Sequence, residues 1–219
     1  YEEALECYDK VLDMDQSDPN VLHNKGLALS KFGESQKALE CFNKVLEIDN
    51  DLDAWNSKGI VLSKLGKYEE ALECFNKVLE MDENIVSAWY NKGLIFDKFE
   101  RYEEAVNCYD TALVIDEDNL WAWHNKGIAL YKLGRTHKAL ECFDAALVID
   151  EDNPWALKNK MRLLFRLKMY GSTLDCCNKV LANDENNFNA LYLASNALDK
   201  LGKHEEAIEC FDKILKINE

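Results

Sequence analysis

Apolar residues recur three and four positions apart in two stretches that follow each other closely. Leu52, Trp55, Gly59 and Leu62 mark the first, over 52–65; Tyr68, Ala71, Leu72, Phe75, Val78 and Leu79 mark the second, over 68–81. Both spacings gather the apolar positions on one helix face, so the pattern predicts two amphipathic α-helices. Between them "KLGK" sets Gly66 where a helix ends in the left-handed conformation. Gly33, Gly134 and Gly202 repeat that placement, whereas Glu100 and Lys168 stand in it without a glycine's freedom. Asp18, Asn119, Asn153 and Asn187 stand where an N-cap is wanted, and Pro19 and Pro154 follow at the first helical position.

This helix–turn–helix pair is written again and again. Gly26, Gly59, Gly93 and Gly127 share one register, continued by Met161 and Ser195; Ala38, Ala71, Ala105 and Ala139 share another, continued by Thr173 and Ala207. The period is 34 residues, with one deletion near "IDNDLDAW". Small residues at Gly59 and Ala71 fit a close helix crossing, with Trp55, Leu62 and Phe75 filling the space around it. The repeats run 19–51, 52–85, 86–119, 120–153, 154–187 and 188–219 within one domain spanning 1–219. Residues 1–15 read as a second helix without its first. Helical arrays normally end in polar capping helices. Neither end shows one, so an excised fragment or end-to-end self-association is expected.

The pattern Trp55, Gly59, Leu62, Tyr68, Ala71, Phe75, echoed by Trp89, Gly93, Phe96, Tyr102, Ala105, Tyr109, resembles the tetratricopeptide repeat (TPR) family. The family's proline, late in its second helix, is replaced by Asn50, Glu83, Glu117 and Glu151. The resemblance implies an all-α, right-handed α-solenoid superhelix. Its first helices would line a concave groove that holds a peptide or partner protein.

Composition narrows the functional classes. Nine Gly and two Pro in 219 residues favour helix over turn-rich β structure. A net charge of −15 repels a phosphate backbone and argues against nucleic acid. No apolar run approaches the ~20 residues of a membrane span, and the start carries neither a signal peptide nor an initiator Met. A cytoplasmic protein, cut from or lying within a longer chain, is the expectation. Seven cysteines (Cys7, Cys41, Cys74, Cys108, Cys142, Cys176, Cys210) recur at intervals of 33 or 34 residues. Metal sites cluster cysteines far more closely, so these read as small buried packing residues in a reducing compartment.

Binding chemistry is sought on the stripe of each first helix that the core does not need. Asn24, Asn91, Asn125 and Asn159 share one position, interrupted by Ser57 and Leu193. An amide offers both donor and acceptor, so such a ladder can pair with the backbone of an extended chain. It is similar to the asparagine ladder of O-GlcNAc transferases; tolerated exposed asparagines are the other reading. A basic column follows at Lys31, Lys64, Lys98, Lys132, Arg166 and Lys200, either a solvated face or an attraction for acidic segments. A second set, Lys25, Lys58, Lys92, Lys126 and Lys160, lies beside the packing glycines and reads as snorkelling structure.

The 154–187 repeat departs furthest: Met161 replaces the glycine, Thr173 the alanine and Cys177 the phenylalanine. It holds six Lys and Arg against three Asp and Glu within an acidic chain. Trp121, Tyr131, Trp155 and Phe165 add aromatic surface beside Lys158, Arg162 and Arg166, and His124 shares the groove face. Aromatic and Arg clusters are usual anchors of binding hot spots. A recognition patch is therefore expected here, with decay of the repeat as the alternative. The carboxylate clamp of co-chaperone members is not reproduced, since Lys158 is followed by Arg162 where Asn is needed.

Nothing asks for catalysis. The four histidines are scattered, and adjacent carboxylates such as Glu69–Glu70 fall at helix starts, where they suit the dipole. The expected function is a protein-interaction scaffold, without cofactor or metal, holding an extended acidic or polar peptide segment. The alternatives are a substrate-recruiting arm of a larger enzyme such as a glycosyltransferase, or a self-assembling array.

Overall fold

The computed structural model describes residues 2–15 and 17–217; Tyr1, Gln16, Asn218 and Glu219 lie outside them. Every regular element among the described residues is an α-helix. A lone α1 (Glu2–Met14) precedes six pairs: α2 (Pro19–Phe32) with α3 (Ser35–Ile48), α4 (Leu52–Lys64) with α5 (Tyr68–Met81), and α6 (Val86–Lys98) with α7 (Tyr102–Ile115). Then come α8 (Leu120–Lys132) with α9 (Thr136–Ile149), α10 (Pro154–Arg166) with α11 (Tyr170–Asn183), and α12 (Phe188–Lys200) with α13 (His204–Ile217). The architecture is an all-α repeat solenoid, and the chain divides into two compact units. Tyr1–Asp116 holds α1 to α7 and Glu117–Glu219 holds α8 to α13.

Helix ends follow local chemistry. Asp18, Asn119, Asn153 and Asn187 each accept from backbone N–H groups of the first turn. Asp51, in the same register but not among the expected caps, does the same for α4. Each pair turns through a left-handed residue, and Glu100 (φ 58°) and Lys168 (φ 60°) adopt that conformation as Gly66 does (φ 75°). The bond that closes the turn is kept: Lys67 N–H donates to Leu62 at 2.9 Å, and Arg101 N–H to Phe96 at 2.9 Å.

The packing glycines lie against an aromatic ring of their own partner helix. A methyl group on Gly59 would stand 2.8 Å from Phe75 Cε1, and one on Gly127 2.7 Å from Phe143 Cε1, so no side chain fits. In the 154–187 repeat the bulk changes sides. Met161 fills the glycine position and Cys177 the ring position, at 1% and 0% exposure, in one buried cluster with Leu157 and Leu164. The two departures are one conserved volume moved across the helix crossing.

In α4, α6 and α8 the Trp of the repeat ties back to the preceding loop. Trp89 Nε1 donates to the Glu83 carbonyl and Trp123 Nε1 to the Glu117 carbonyl, both at 2.8 Å. Trp55 donates instead to the Asn50 side chain at 2.7 Å. These residues, expected late in a second helix, lie beyond its end and accept the indole. Lys58, Lys92 and Lys126 lie over the Trp rings, 4.6–5.0 Å from the centroids. Lys160 pairs with Asp144 at 2.6 Å, and Lys25 pairs with Asp9.

All eight cysteines are free. Cys41, Cys74, Cys108, Cys142 and Cys176 are buried as expected, but Cys7 is exposed and Cys210 half-buried. Those two sit on α1 and α13, each of which lacks a neighbour on one side within its own unit. Burial raises the thiols of Cys74, Cys108 and Cys176 to about 11 and that of Cys177 to about 12.

Candidate functional site

The expected recognition residues divide into two groups within the unit Glu117–Glu219. The first group surrounds a cleft of about 350 Å³ between α8 and α10. Ile128, Tyr131 and Lys132 come from α8, Asn159, Arg162, Leu163 and Arg166 from α10, and Phe143 from α9 reaches in beneath. Helical spacing explains the convergence: Arg162 and Arg166 are four apart on one face of α10, and Tyr131 and Lys132 close the last turn of α8. The Arg166 guanidinium lies over the Tyr131 ring, 5.4 Å from its centroid. Phe143 and Leu163 give the cleft an apolar floor; the sequence pattern marks Phe143 only as the ring that covers Gly127. Lys132, Arg162 and Arg166 make no ion pair among the described residues.

The second group stands at the N-terminal ends of the same helices. Trp121 and Trp155 are 46% and 53% exposed, with ring centroids 5.3 Å apart and planes at 60°. Lys158 and Trp155 border a separate hollow between α10 and α12. His124, expected on the groove face, is a packing residue: it is 6% exposed, edge-on to Trp121 at 6.2 Å and tilted against Phe143 at 5.8 Å. Burial lowers its pKa, and its Nδ1 has no hydrogen-bond partner. Phe165 turns away from the cleft and packs on Tyr170 at 5.5 Å.

The asparagines of the column differ in exposure and contacts. Asn91 Nδ2 donates to the Ser87 carbonyl of its own helix at 2.8 Å, and Asn196, elsewhere on a first helix, does likewise to Tyr192 at 2.6 Å. Asn24 is exposed on α2, Asn125 is half-buried and already engaged, and Asn159 lines the cleft. The basic column has a local cause. Lys31, Lys64, Lys98, Lys132, Arg166 and Lys200 all fall in the last turn of a first helix, where the dipole favours a cation. Only Lys132 and Arg166 of that column also border the cleft.

No group of three or more His, Cys, Asp or Glu side chains among the described residues is placed to hold a metal ion. No helix among them is long and apolar enough to cross a membrane.

Comparison with known proteins bears on the fold. Models described as Tetratricopeptide repeat match residues 7–40, 52–85, 120–153 and 188–219, and one described as TPR repeat matches 100–134. Comparison with curated proteins finds no match. Among solved structures, the chain is similar to PilF of Pseudomonas aeruginosa, with a TM-score of 0.74 at 20% identity, covering 99% of this chain and 91% of that one. It is similar to YrrB, described as a TPR protein with an unusual peptide-binding site, with a TM-score of 0.68 at 23% identity, covering 86% and 97%. A MamA chain from Desulfovibrio magneticus RS-1 gives 0.70 at 20% identity, covering 77% and 96%. At these identities the likeness concerns the fold.

Proposed function

The chain belongs to the tetratricopeptide repeat family, and from that premise we propose that it is a protein-interaction scaffold holding an extended acidic or polar segment of a partner against α8 and α10. The observation that carries the reading is the cleft itself. Three cations without ion-pair partners border an apolar floor, in a chain with 41 Asp and Glu against 26 Lys and Arg. Some exposed cations elsewhere are paired, as in Lys67–Glu70, Lys77–Glu80 and Lys203–Glu206, whereas these three converge on one cleft. Cations held apart from so many carboxylates favour an anionic partner and steer its approach. Asn159 adds a donor and an acceptor for the segment's backbone. The likeness to YrrB, described as having a peptide-binding site, agrees with this use of the fold.

The test is affinity capture from native lysate with the wild type beside Arg162→Glu/Arg166→Glu, read by mass spectrometry. Proteins lost from the variant should carry acidic extended segments, and synthetic copies of those segments should compete for the wild type. Identical recovery by both proteins would remove the cleft as the site.

A second reading, self-association, rests on α13. Ile208 is 59% exposed and Leu215 63% exposed, an apolar face in an otherwise charged helix. Sedimentation across a concentration range decides it; a strict monomer at high concentration rules it out.

A further inference from the structure

We propose that the cleft between α8 and α10 recognises a bulky apolar side chain with acidic residues within two positions of it. This rests on the peptide-binding reading above and deepens it from a charge preference to a motif. A volume of about 350 Å³ is at the small end of ligand pockets, room for one large side chain rather than for a length of chain.

The floor decides what enters. Phe143 and Leu163 are 2% and 3% exposed, so the cleft ends on tightly packed apolar side chains. A carboxylate or phosphate pushed onto that floor would lose water there, and Phe143 and Leu163 carry no side-chain donor to replace it. The helix ends oppose it as well. Lys132 and Arg166 occupy the last turns of α8 and α10, where backbone carbonyls place partial negative charge. An anion is thus disfavoured inside and favoured at the rim, where the Lys132, Arg162 and Arg166 side chains carry the positive charge outward. A leucine or aromatic ring fits the interior for the converse reason: it loses no hydration it needs and covers apolar surface. With Arg166 already held over Tyr131, the rim is partly ordered before any ligand arrives, which lowers the cost of binding.

Random dodecapeptides displayed on phage and selected on the whole chain test the motif, followed by fluorescence anisotropy on the recovered peptides. The expected consensus is Leu, Phe, Tyr or Trp with Asp or Glu within two residues. Replacing that apolar residue by Ala should weaken binding at least tenfold. Arg162→Ala/Arg166→Ala should weaken it comparably; both side chains are exposed and make no ion pair, so the fold is retained, and circular dichroism checks this. Lys203→Ala, at a surface pair away from the cleft, should leave binding unchanged. Acidic peptides that need the two arginines but not the apolar residue would overturn the motif and leave the groove reading standing. Peptides indifferent to both arginines, or no recovery above background, would overturn the two together.

Discussion

The Tyr109 hydroxyl donates to the Asp97 carboxylate at 2.5 Å, joining α7 to α6 inside the fold. The corresponding residues of the two preceding repeats are Ser63 with Phe75 and Ser30 with Phe42, so relative to them both members of the contact have changed. Tyr109 is fully buried, and Asp97 Oδ1 has no partner of its own. Tyr109→Phe therefore strands a half-buried carboxylate and should cost about 1.5–3 kcal/mol at neutral pH. Asp97→Ser/Tyr109→Phe restores the pair used by the 52–85 repeat and should regain most of that loss. Urea denaturation of the two variants measures it; a double variant no better than the single would show that the contact is not coupled.

The same pair sets a pH dependence. Burial raises the Asp97 carboxyl above its ordinary value, and the Tyr109 hydrogen bond offsets only part of the rise. The folded state then holds this proton more tightly than the unfolded chain does. Stability from this site is full below the ordinary carboxylate range and falls as pH rises through the raised value. The difference in stability between the wild type and Asp97→Ser/Tyr109→Phe should change in that direction across an acid titration. A pH-independent difference would refute the assignment.

Two turns carry avoidable strain. Glu100 and Lys168 hold φ near +60°, where a side chain crowds the backbone and glycine does not. Glu100→Gly and Lys168→Gly should each stabilise by about 0.5–1 kcal/mol, raising Tm by about 1–4 °C for a chain of this size. Differential scanning calorimetry would detect the gain. A loss in either variant would mean that the side chain makes contacts worth more than the strain.

How far the sequence reveals this molecule depends on whether a residue's role is local. The helix α5 spans 68–81 as its spacing indicates, and α4 ends one residue short of 52–65. Caps and turns are local too, and only Asp51 escapes notice: it stands in the 34-residue register of Asn119 and Asn153, but Ile85 interrupts the column between them. The site is less legible because it depends on which way side chains turn. Phe165 and Arg166 are neighbours in sequence, yet one packs on Tyr170 and the other borders the cleft. His124 has the right spacing for the groove, but Trp121 covers it. Met161 and Cys177 look like two losses until the volume they exchange is seen across the helix crossing.

Thiol chemistry should report the burial pattern. A buried thiol whose pKa is raised to about 11 is almost entirely protonated at pH 8, and the thiolate is the reactive form. In the native protein Ellman's reagent should modify the exposed Cys7 first and the half-buried Cys210 more slowly. All eight cysteines should react once the chain is unfolded in guanidinium. Rapid native reaction of four or more would contradict the packing described for α3, α5, α7, α9 and α11.

The exchange between Met161 and Cys177 makes the most demanding prediction, because it requires non-additivity. Met161→Gly alone opens a void in the buried cluster and adds a helical glycine, at about 3–5 kcal/mol. Cys177→Phe alone forces a ring against Met161, at about 1–3 kcal/mol. Together they recreate the Gly127–Phe143 arrangement, in which the ring lies on a helix that has no side chain to obstruct it. The double variant should be more stable than Met161→Gly, with a coupling of about 2 kcal/mol or more in a double-mutant cycle. Simple addition of the two losses would mean that Thr173, also fully buried at this crossing, prevents the ring from reaching the glycine. Thr173→Ala, restoring the small residue of the other repeats, would then be the change that releases it.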